Sequence, residues 1–417
     1  MIKKNNQIIA GIDVGTTKIV VLIGEISVNQ VINIIGIGQY PSKGIDKGNI
    51  NNLQSLISCI KKAIYEAETM AEYRISSIYV SLSNEYLKCK NEIGIVPIDN
   101  KEITHQDIKY AIYTAQSIKL GHDYKILHVI PQEYIIDKEY GIKNPIGLSG
   151  CRMKAKVHLI TYKHIFKKNL VKAIQSCNIQ VEKVVFSGIA SSQAVLTFSE
   201  KQSGVCMIDI GGGSINIVIY FNGYIQYSHV LPYAGNTVTN DIAYVFNTSF
   251  QNAEIIKKKY GSTILTSLTA SELIEISNLY DINTKTIQND ILIQVINSRY
   301  TELFTMINEM IIKIQNQLYH SSQSYILGSG IVLTGGGAQA KSLKILAKKI
   351  FNTQVRIGIP LKIKTYNDKI IQPNYATVIG LLKYGSKIYN HHKKQFHKTT
   401  ILKKLFCYVQ NWVKKII

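Results

Sequence analysis

Two stretches of the chain carry the same arrangement of reactive groups. In IIAGIDVGTTKIVVLIGEI an apolar run from Ile8 to Ile12 ends in Asp13, then come Gly15, Thr16, Thr17 and Lys18, then a second apolar run. In GVCMIDIGGGSINIVIYFNG the run from Val205 to Ile208 ends in Asp209, then come Gly211, Gly212, Gly213 and Ser214, then the run from Ile215 to Tyr220. Asp13 aligns with Asp209 and Gly15 with Gly211. Glycine lets successive backbone N–H groups close around an anion. The hydroxyls of Thr16, Thr17 and Ser214 add donors and Lys18 adds charge. A carboxylate at the end of each strand can hold Mg²⁺ through its waters, because magnesium keeps most of its hydration. This chemistry suits a triphosphate. One such stretch alone reads as an ordinary β-hairpin. Two matched copies, one per half, read as a phosphate site divided between two lobes, with Asp13 and Asp209 as its metal-holding pair.

Two further stretches could complete such a site. In YILGSGIVLTGGGAQAKSL a strand from Ile331 to Leu333 runs through Thr334 into Gly335, Gly336 and Gly337, and then into a helical pattern of Leu343, Leu346, Ala347 and Ile350. A glycine turn between strand and helix lets the backbone lie flat against a purine or a phosphate. Gly335 to Ser342 nearly spells a Walker A loop, but Ala340 stands where that loop needs its second glycine, so this reading is set aside. In AEIIKKKYG, Glu254 and Lys257 fall at i and i+3 on a helix. Spacing alone leaves them either as a bracket for a ribose and base or as an exposed ion pair.

The elements that position these residues need a large scaffold. At 417 residues, 46% hydrophobic and 18% charged, the chain has apolar material for two packed lobes and is unlike a disordered sequence. Six cysteines without a CxxC pair and ten histidines without an HExxH set point away from zinc and from a disulfide framework, and fit a reducing cytosol. The opening MIKKNNQ leads into a strand pattern rather than a secretory leader, and no apolar run is long enough to span a bilayer. The net charge of +21 reflects an Ile-, Asn- and Lys-rich composition such as AT-rich coding gives. Its lysines are spread rather than striped and no nucleic-acid motif appears, so no nucleic-acid partner is expected.

The C-terminus is the exception to that even spread. Residues 385–401 are polar and basic without apolar periodicity and are expected to form a flexible linker. Beyond them Leu402, Leu405, Phe406, Val409, Trp412, Val413 and Ile416 recur at steps of three and four, while Lys403, Lys404, Lys414 and Lys415 avoid that stripe. A helix of this kind is too short to span and fits the class that lies in the headgroup plane of an anionic membrane. Each large apolar residue contributes about 1.5–3 kcal/mol on burial. Each nearby lysine adds about 1 kcal/mol, and ordering each residue costs about 1–2 kcal/mol. One copy therefore binds marginally and reversibly. Copies side by side on a polymer gain avidity of roughly 10²–10⁴.

Taken in order, the two hairpins, the AE-x-x-K helix and the strand–Gly-Gly-Gly–helix resemble the actin, sugar kinase and heat-shock chaperone ATPase superfamily. Within it the chain resembles the FtsA family of bacterial cell division proteins over essentially its whole length. The match is carried by IIGIGQYPSKGIDKG, CKNEIGIVPI, LPYAGNTVTNDIAY, SRYTEL, TQVRIG, the tail and above all LHVIPQEYIIDKEYGIKNPIGLSGCRMKAKVHLIT. The resemblance implies an α/β, actin-like two-lobed ATPase fold with an FtsA-type inserted subdomain and a C-terminal amphipathic helix. Lobe 1 would comprise residues 1–84 and 164–203, with the inserted subdomain at 85–163 between them. Lobe 2 would comprise 204–240 and 311–384, with a small subdomain at 241–310. The linker at 385–401 and the helix at 402–417 would follow.

The same resemblance implies ATP and Mg²⁺ held between the hairpins, with adenosine against Glu254, Lys257 and the Gly335–Gly337 turn. It places Arg299 and Glu302 in the subdomain that receives the C-terminal peptide of the tubulin-like ring protein FtsZ. It further implies self-association into filaments, recruitment of later division proteins such as FtsN, and a peripheral location on the cytoplasmic side of the inner membrane at the division site. Asn216 stands where the family usually has Asp, which weakens the case for efficient hydrolysis and leaves a weak ATPase at most. Gln193, in SSQAVL, is the candidate for orienting an attacking water, or else a polar residue on a helix flank. The rival is a phosphotransferase of the same superfamily. It would need a base beside the γ-phosphate, and no acid besides the two metal aspartates offers itself.

Overall fold

The computed structural model describes residues 7–27, 31–99, 102–265, 273–277, 284–319, 327–365 and 367–389. Both hairpins form, and each seeds a sheet of the same plan. Strand Gln7–Val14 pairs antiparallel with Lys18–Ile26, which pairs antiparallel with Ile32–Pro41. On its other side Gln7–Val14 runs parallel to Ser77–Leu82, and that strand runs parallel to Gln180–Phe186. In the second lobe Val205–Ile210 pairs antiparallel with Ile215–Phe221, which pairs with Tyr224–Leu231. Its other neighbour is the parallel strand Ile331–Thr334, flanked in turn by Val355–Ile357. Strand for strand, the second sheet repeats the first. A last strand, Ile363–Thr365, returns to the far edge of the first sheet.

The sequence of Val205–Ile210 explains its place. It is buried along its whole length, so it reads as an unbroken apolar run rather than an alternating one. Val205 and Met207 join the core shared with the first lobe, while Cys206, Ile208 and Ile210 join the second lobe's own core. Side chains alternate along a strand, so Asp209 shares the face of Val205 and Met207 and is driven toward the first lobe.

Two helices cross at the junction of the lobes. One is Ser187–Val195, whose residues are buried apart from Gln193. The other comprises residues 376–389 and carries Val378, Ile379, Leu381 and Leu382 into the first core. They meet at Gly380, where a Cβ would lie 1.7 Å from the carbonyl oxygen of Ala190. This second helix corrects the expected start of the linker, because residues 385–389 continue it. Gly385 packs against Ile9 and Tyr79, and Ser386 is buried. Small residues make these contacts, so apolar periodicity did not reveal them. The proposed membrane helix, residues 402–417, lies outside the described residues.

The inserted segment forms an antiparallel sheet in the order Lys88–Pro97, Arg152–Lys163, Tyr124–Ile136, Glu139–Ile142. Helix His105–Gln116 covers it, opened by a capping box in which Thr104 and Asp107 satisfy each other's backbone. The sheet docks on strand Tyr224–Leu231 through polar contacts. The Gln132 amide donates to the Ile225 carbonyl at 2.6 Å and Asn91 donates to the Gln226 carbonyl at 2.9 Å. His158 lies 2.7 Å from Asn91 Oδ1 through Nδ1 and 2.9 Å from Ser228 Oγ through Nε2. Asn91 Oδ1 can only accept, so Nδ1 carries the proton and Nε2 accepts from Ser228. Gln132 and His158 belong to the segment that carried the family resemblance most strongly. No helix among the described residues is long and apolar enough to cross a membrane.

The helix crossing gives the first prediction. Gly380→Val forces a side chain into the Ala190 backbone and should destabilise the fold by about 1–3 kcal/mol or more, read as a lower urea midpoint. An unchanged midpoint would show that the two helices are not in contact.

Candidate functional site between the lobes

The two hairpin turns close identically. Gly15 N–H donates to the Lys18 carbonyl at 3.1 Å, and Gly211 N–H to the Ser214 carbonyl at 3.0 Å. Asp13 stands opposite Val20 and Asp209 opposite Asn216, the same place in each ladder. The turns come from different lobes and meet tip to tip. A Cβ at Gly213 would lie 2.4 Å from Thr16 Oγ1, and one at Gly212 would lie 2.3 Å from Thr17 Cγ2. Between them remains a cavity of about 110 Å³, lined by Asp13, Gly15, Thr16, Thr17, Lys18, Asp209, Gly211, Gly212, Gly213, Ser214, Gly335 and Gly336 among others.

Both carboxylates are held by hydroxyls. Ser81 donates to Asp13 at 2.5 Å. Ser191 and Thr377 donate to Asp209 Oδ2 at 2.5 and 3.2 Å. Burial nevertheless dominates. It raises Asp13 above the usual carboxylate range, against the pull of Ser81 and Lys18. It raises Asp209 to about 6, with the charge of Asp13 pushing the same way. Lys18 is lowered to about 8 by burial, partly offset by Asp13. Its ammonium lies 3.4 Å from Gln39 Oε1 and 4.4 Å from the centre of the Tyr375 ring. Two carboxylates, Asp209 buried and Asp13 half-buried, that repel each other across a small polar cavity are the electrostatic setting a divalent cation stabilises. Among the described residues no cluster of three or more acidic, His or Cys side chains offers a closed metal cage. The pair therefore fits a hydrated ion completed by phosphate oxygens, and Mg²⁺ takes that form.

Other groups were not legible as site residues. Ser83 of the first lobe donates to Asn216 Oδ1 at 2.5 Å and lies 3.2 Å from Ser214 Oγ, bridging the lobes. Asn216 also hydrogen-bonds to Asp209 and lowers it. An amide here replaces what would be a further carboxylate beside two that already repel. Ser187, Asn374 and Thr377 also line the cavity. Ser187 and Ser191 lie one turn apart on the buried helix Ser187–Val195.

The remaining candidates fall around this centre. Gly335 adopts φ +84°, and a Cβ there would meet Asp209 Oδ1 at 2.3 Å, so the strand can turn beside the carboxylate only at glycine. Helix Leu343–Phe351 begins well after this turn, and Lys341 donates to the Lys259 carbonyl, which accords with setting a Walker loop aside. Gly337 packs on Ile210. Glu254 and Lys257 do form a pair at 2.6 Å on helix Phe250–Tyr260, capped by Ser249. They share Thr239 Oγ1, and Lys257 also donates to the Gly235 carbonyl at 2.9 Å. Gly235 N–H bonds the Gly211 carbonyl, so the pair stands behind the second turn rather than in the cavity wall.

Gln193 is a correction. It accepts from Lys387 and lines a different cavity, on the opposite face of its helix from Ser187 and Ser191. The helical rotation of about 100° per residue puts it there, out of reach of a water in the cleft. Arg299, on helix Asn289–Tyr319, forms a two-pronged pair with Asp241 at 2.5 and 3.0 Å and reaches Glu302 at 2.5 Å.

Two matched α/β lobes, each giving one carboxylate and one glycine turn to a shared cleft, define an actin-like ATPase fold. Solved structures agree. The chain is similar to one in a PilM–PilN type IV pilus biogenesis complex, with a TM-score of 0.64 and 15% identity over 91% of this chain and 98% of that one. It is similar to MreB5 of Spiroplasma citri bound to ADP, with a TM-score of 0.54 and 13% identity over 93% and 98%. Sequence comparison is more specific. The family model "Cell division protein FtsA" matches residues 206–380, and "SHS2 domain inserted in FTSA" matches residues 84–161. The chain is 50% identical to the cell division protein FtsA of Buchnera aphidicola subsp. Schizaphis graminum over 415 residues, covering 100% of this chain and 99% of the relative. It is 42% identical to that of Escherichia coli K12 over 417 residues, covering 100% and 98%. The chain belongs to the FtsA family of cell division proteins.

Gly336 provides a test that spares the fold. A Cβ there meets only Asn374, at 3.9 Å, and Gly336 lines the cavity. Gly336→Leu is expected to leave the unfolding midpoint unchanged and to weaken binding of a fluorescent ATP analogue at least about tenfold, or 1.4 kcal/mol. Retained affinity would place the nucleotide elsewhere.

Proposed function

We propose that the protein binds ATP between its lobes, polymerises on the cytoplasmic face of the inner membrane at the division site, anchors the FtsZ ring there and recruits later division proteins such as FtsN. The observation that carries this reading is that Asp13 and Asp209, from opposite lobes, line one cavity together with Lys18, both hairpin turns and Gly335. Membership of the FtsA family supports the division role.

In this reading the N–H groups and hydroxyls of Gly15–Thr17 and Gly211–Ser214 bind the phosphates from two sides, and Lys18 neutralises charge between them. Asp13 and Asp209 hold Mg²⁺ through water, and the ion would supply charge neutralisation of the phosphate oxygens. Adenosine lies along the Gly335–Gly337 turn, on the side of the second hairpin supported by Glu254 and Lys257. Ser83 links the lobes only while they are closed, so nucleotide acts chiefly by biasing lobe arrangement and with it filament contacts. Gln193 is absent from the cleft and Asn216 is uncharged, which favours slow hydrolysis.

The FtsZ peptide engages the surface around Arg299 and Glu302. Arg299 is about a quarter exposed and Glu302 about half, so both are accessible without unfolding. The stripe of residues 402–417 attaches the assembly to anionic lipid.

Two measurements test these contacts. Deleting residues 402–417 should abolish co-sedimentation with phosphatidylglycerol-containing vesicles, and the intact chain should bind more tightly with ATP than without it. Equal sedimentation of both forms would remove the anchor. Arg299→Glu should weaken capture of an FtsZ C-terminal peptide at least about tenfold, and equal affinity would move the docking surface away from this helix.

A further inference from the structure

A second cavity, of about 550 Å³, lies on the face of helix Ser187–Val195 turned away from the cleft. It sits where three bodies meet. The inserted sheet contributes His128, the first lobe Lys183 and Tyr384, and the second lobe Tyr220 and Tyr224. Its lining contains no aspartate or glutamate among the described residues.

One lysine lines it, and two more from other elements stand against residues that line it. Lys183 is part of the wall, 5.5 Å from the centre of the Tyr384 ring. Lys201 lies 4.9 Å over the Tyr220 ring, and Lys387 donates to Gln193, itself a lining residue. None of the three forms an ion pair among the described residues. Two of the carboxylates nearby are paired with other cations. Glu200 is gripped by Arg356 at 2.6 and 2.9 Å, and Glu133, beside Tyr224, takes Lys156 at 3.4 Å. Burial pushes Lys201 down to about 7, with Lys387 and Lys383 pushing the same way and Glu200 partly offsetting them. His128 adds no charge. Its Nε2 accepts from the Phe186 N–H at 3.0 Å, and burial with Lys183 and Lys167 lowers it to about 3.

Cations that form no ion pair are stabilised by an anion brought among them. We propose that this cavity binds a phosphate-bearing small molecule with a flat or apolar body, its phosphate set against Lys183, Lys201 and Lys387 and its body against Tyr220, Tyr224 and Tyr384. The volume lies within the range of small-molecule sites, roughly 300–1,000 Å³, and such sites favour domain junctions. Lysine serves phosphate as a point charge, and tyrosine rings offer flat apolar walls. A ligand here touches the inserted subdomain and both lobes at once, so its binding is linked to their relative position.

Pyridoxal 5′-phosphate is a suitable probe, being a phosphate on an aromatic ring whose aldehyde forms an imine with an uncharged lysine. The full chain is incubated with the probe in the presence of Mg·ATP, reduced with borohydride and mapped by peptide mass spectrometry. The expected result is trapping on Lys183, Lys201 or Lys387 at probe concentrations at least tenfold below those that label the exposed Lys258, suppressed by excess pyrophosphate. Labelling that simply follows lysine exposure, or that is confined to Lys18, overturns the proposal. Lys183→Gln should lower probe affinity at least tenfold with an unchanged melting temperature, and undiminished affinity also overturns it. Failure of the cleft reading appears separately, as loss of the protection that ATP gives Lys18.

Discussion

The structure depends on two carboxylates at the seam between the lobes. An unpaired buried carboxylate is costly, and each loses more than neighbouring hydroxyls return, since both are raised despite Ser81, Ser191 and Thr377. The two face one cavity, where a bound cation would offset the cost of both. The rest of the fold keeps them there. Alternation along Val205–Ile210 turns Asp209 toward the first lobe, and the positive φ of Gly335 brings a third strand end alongside without collision.

A duplicated sheet is an economical way to meet this constraint. Each copy ends its first strand in aspartate and turns through glycine, so placing the copies tip to tip yields a site with matched walls. The helices Ser187–Val195 and 376–389 fasten the copies at Gly380, and Ser191 and Thr377 extend from those same helices to Asp209. The helix crossing and the carboxylate are thus linked through two hydrogen bonds.

The inserted sheet is joined to the second lobe by apolar packing and also by polar contacts from amides, an imidazole and a serine. Such contacts fix register, because each donor has one matching acceptor, and they contribute less stability per contact than a core. Beside them lies the second cavity, with Lys183 in its wall.

The sequence alone determined both hairpins, their correspondence, the glycine turn after Ile331 and the helical pairing of Glu254 with Lys257. These follow from short-range rules of alternation, turn chemistry and i,i+3 spacing. It also carried the family resemblance through the segment that became the inserted sheet. It could not tell on which face of helix Ser187–Val195 the useful side chains lie. Gln193 looked like the polar residue of note, whereas Ser187 and Ser191 face the cleft. Nor could it show that Ser83 bridges the lobes, that Gly385 and Ser386 are packed, or that Lys183 lines a cavity with Tyr220, Tyr224 and Tyr384. Those residues are far apart in the chain and small or ordinary in type. Only the pairing of sheets and the crossing of helices decides which of them share a space, and that is a property of tertiary packing rather than of local pattern.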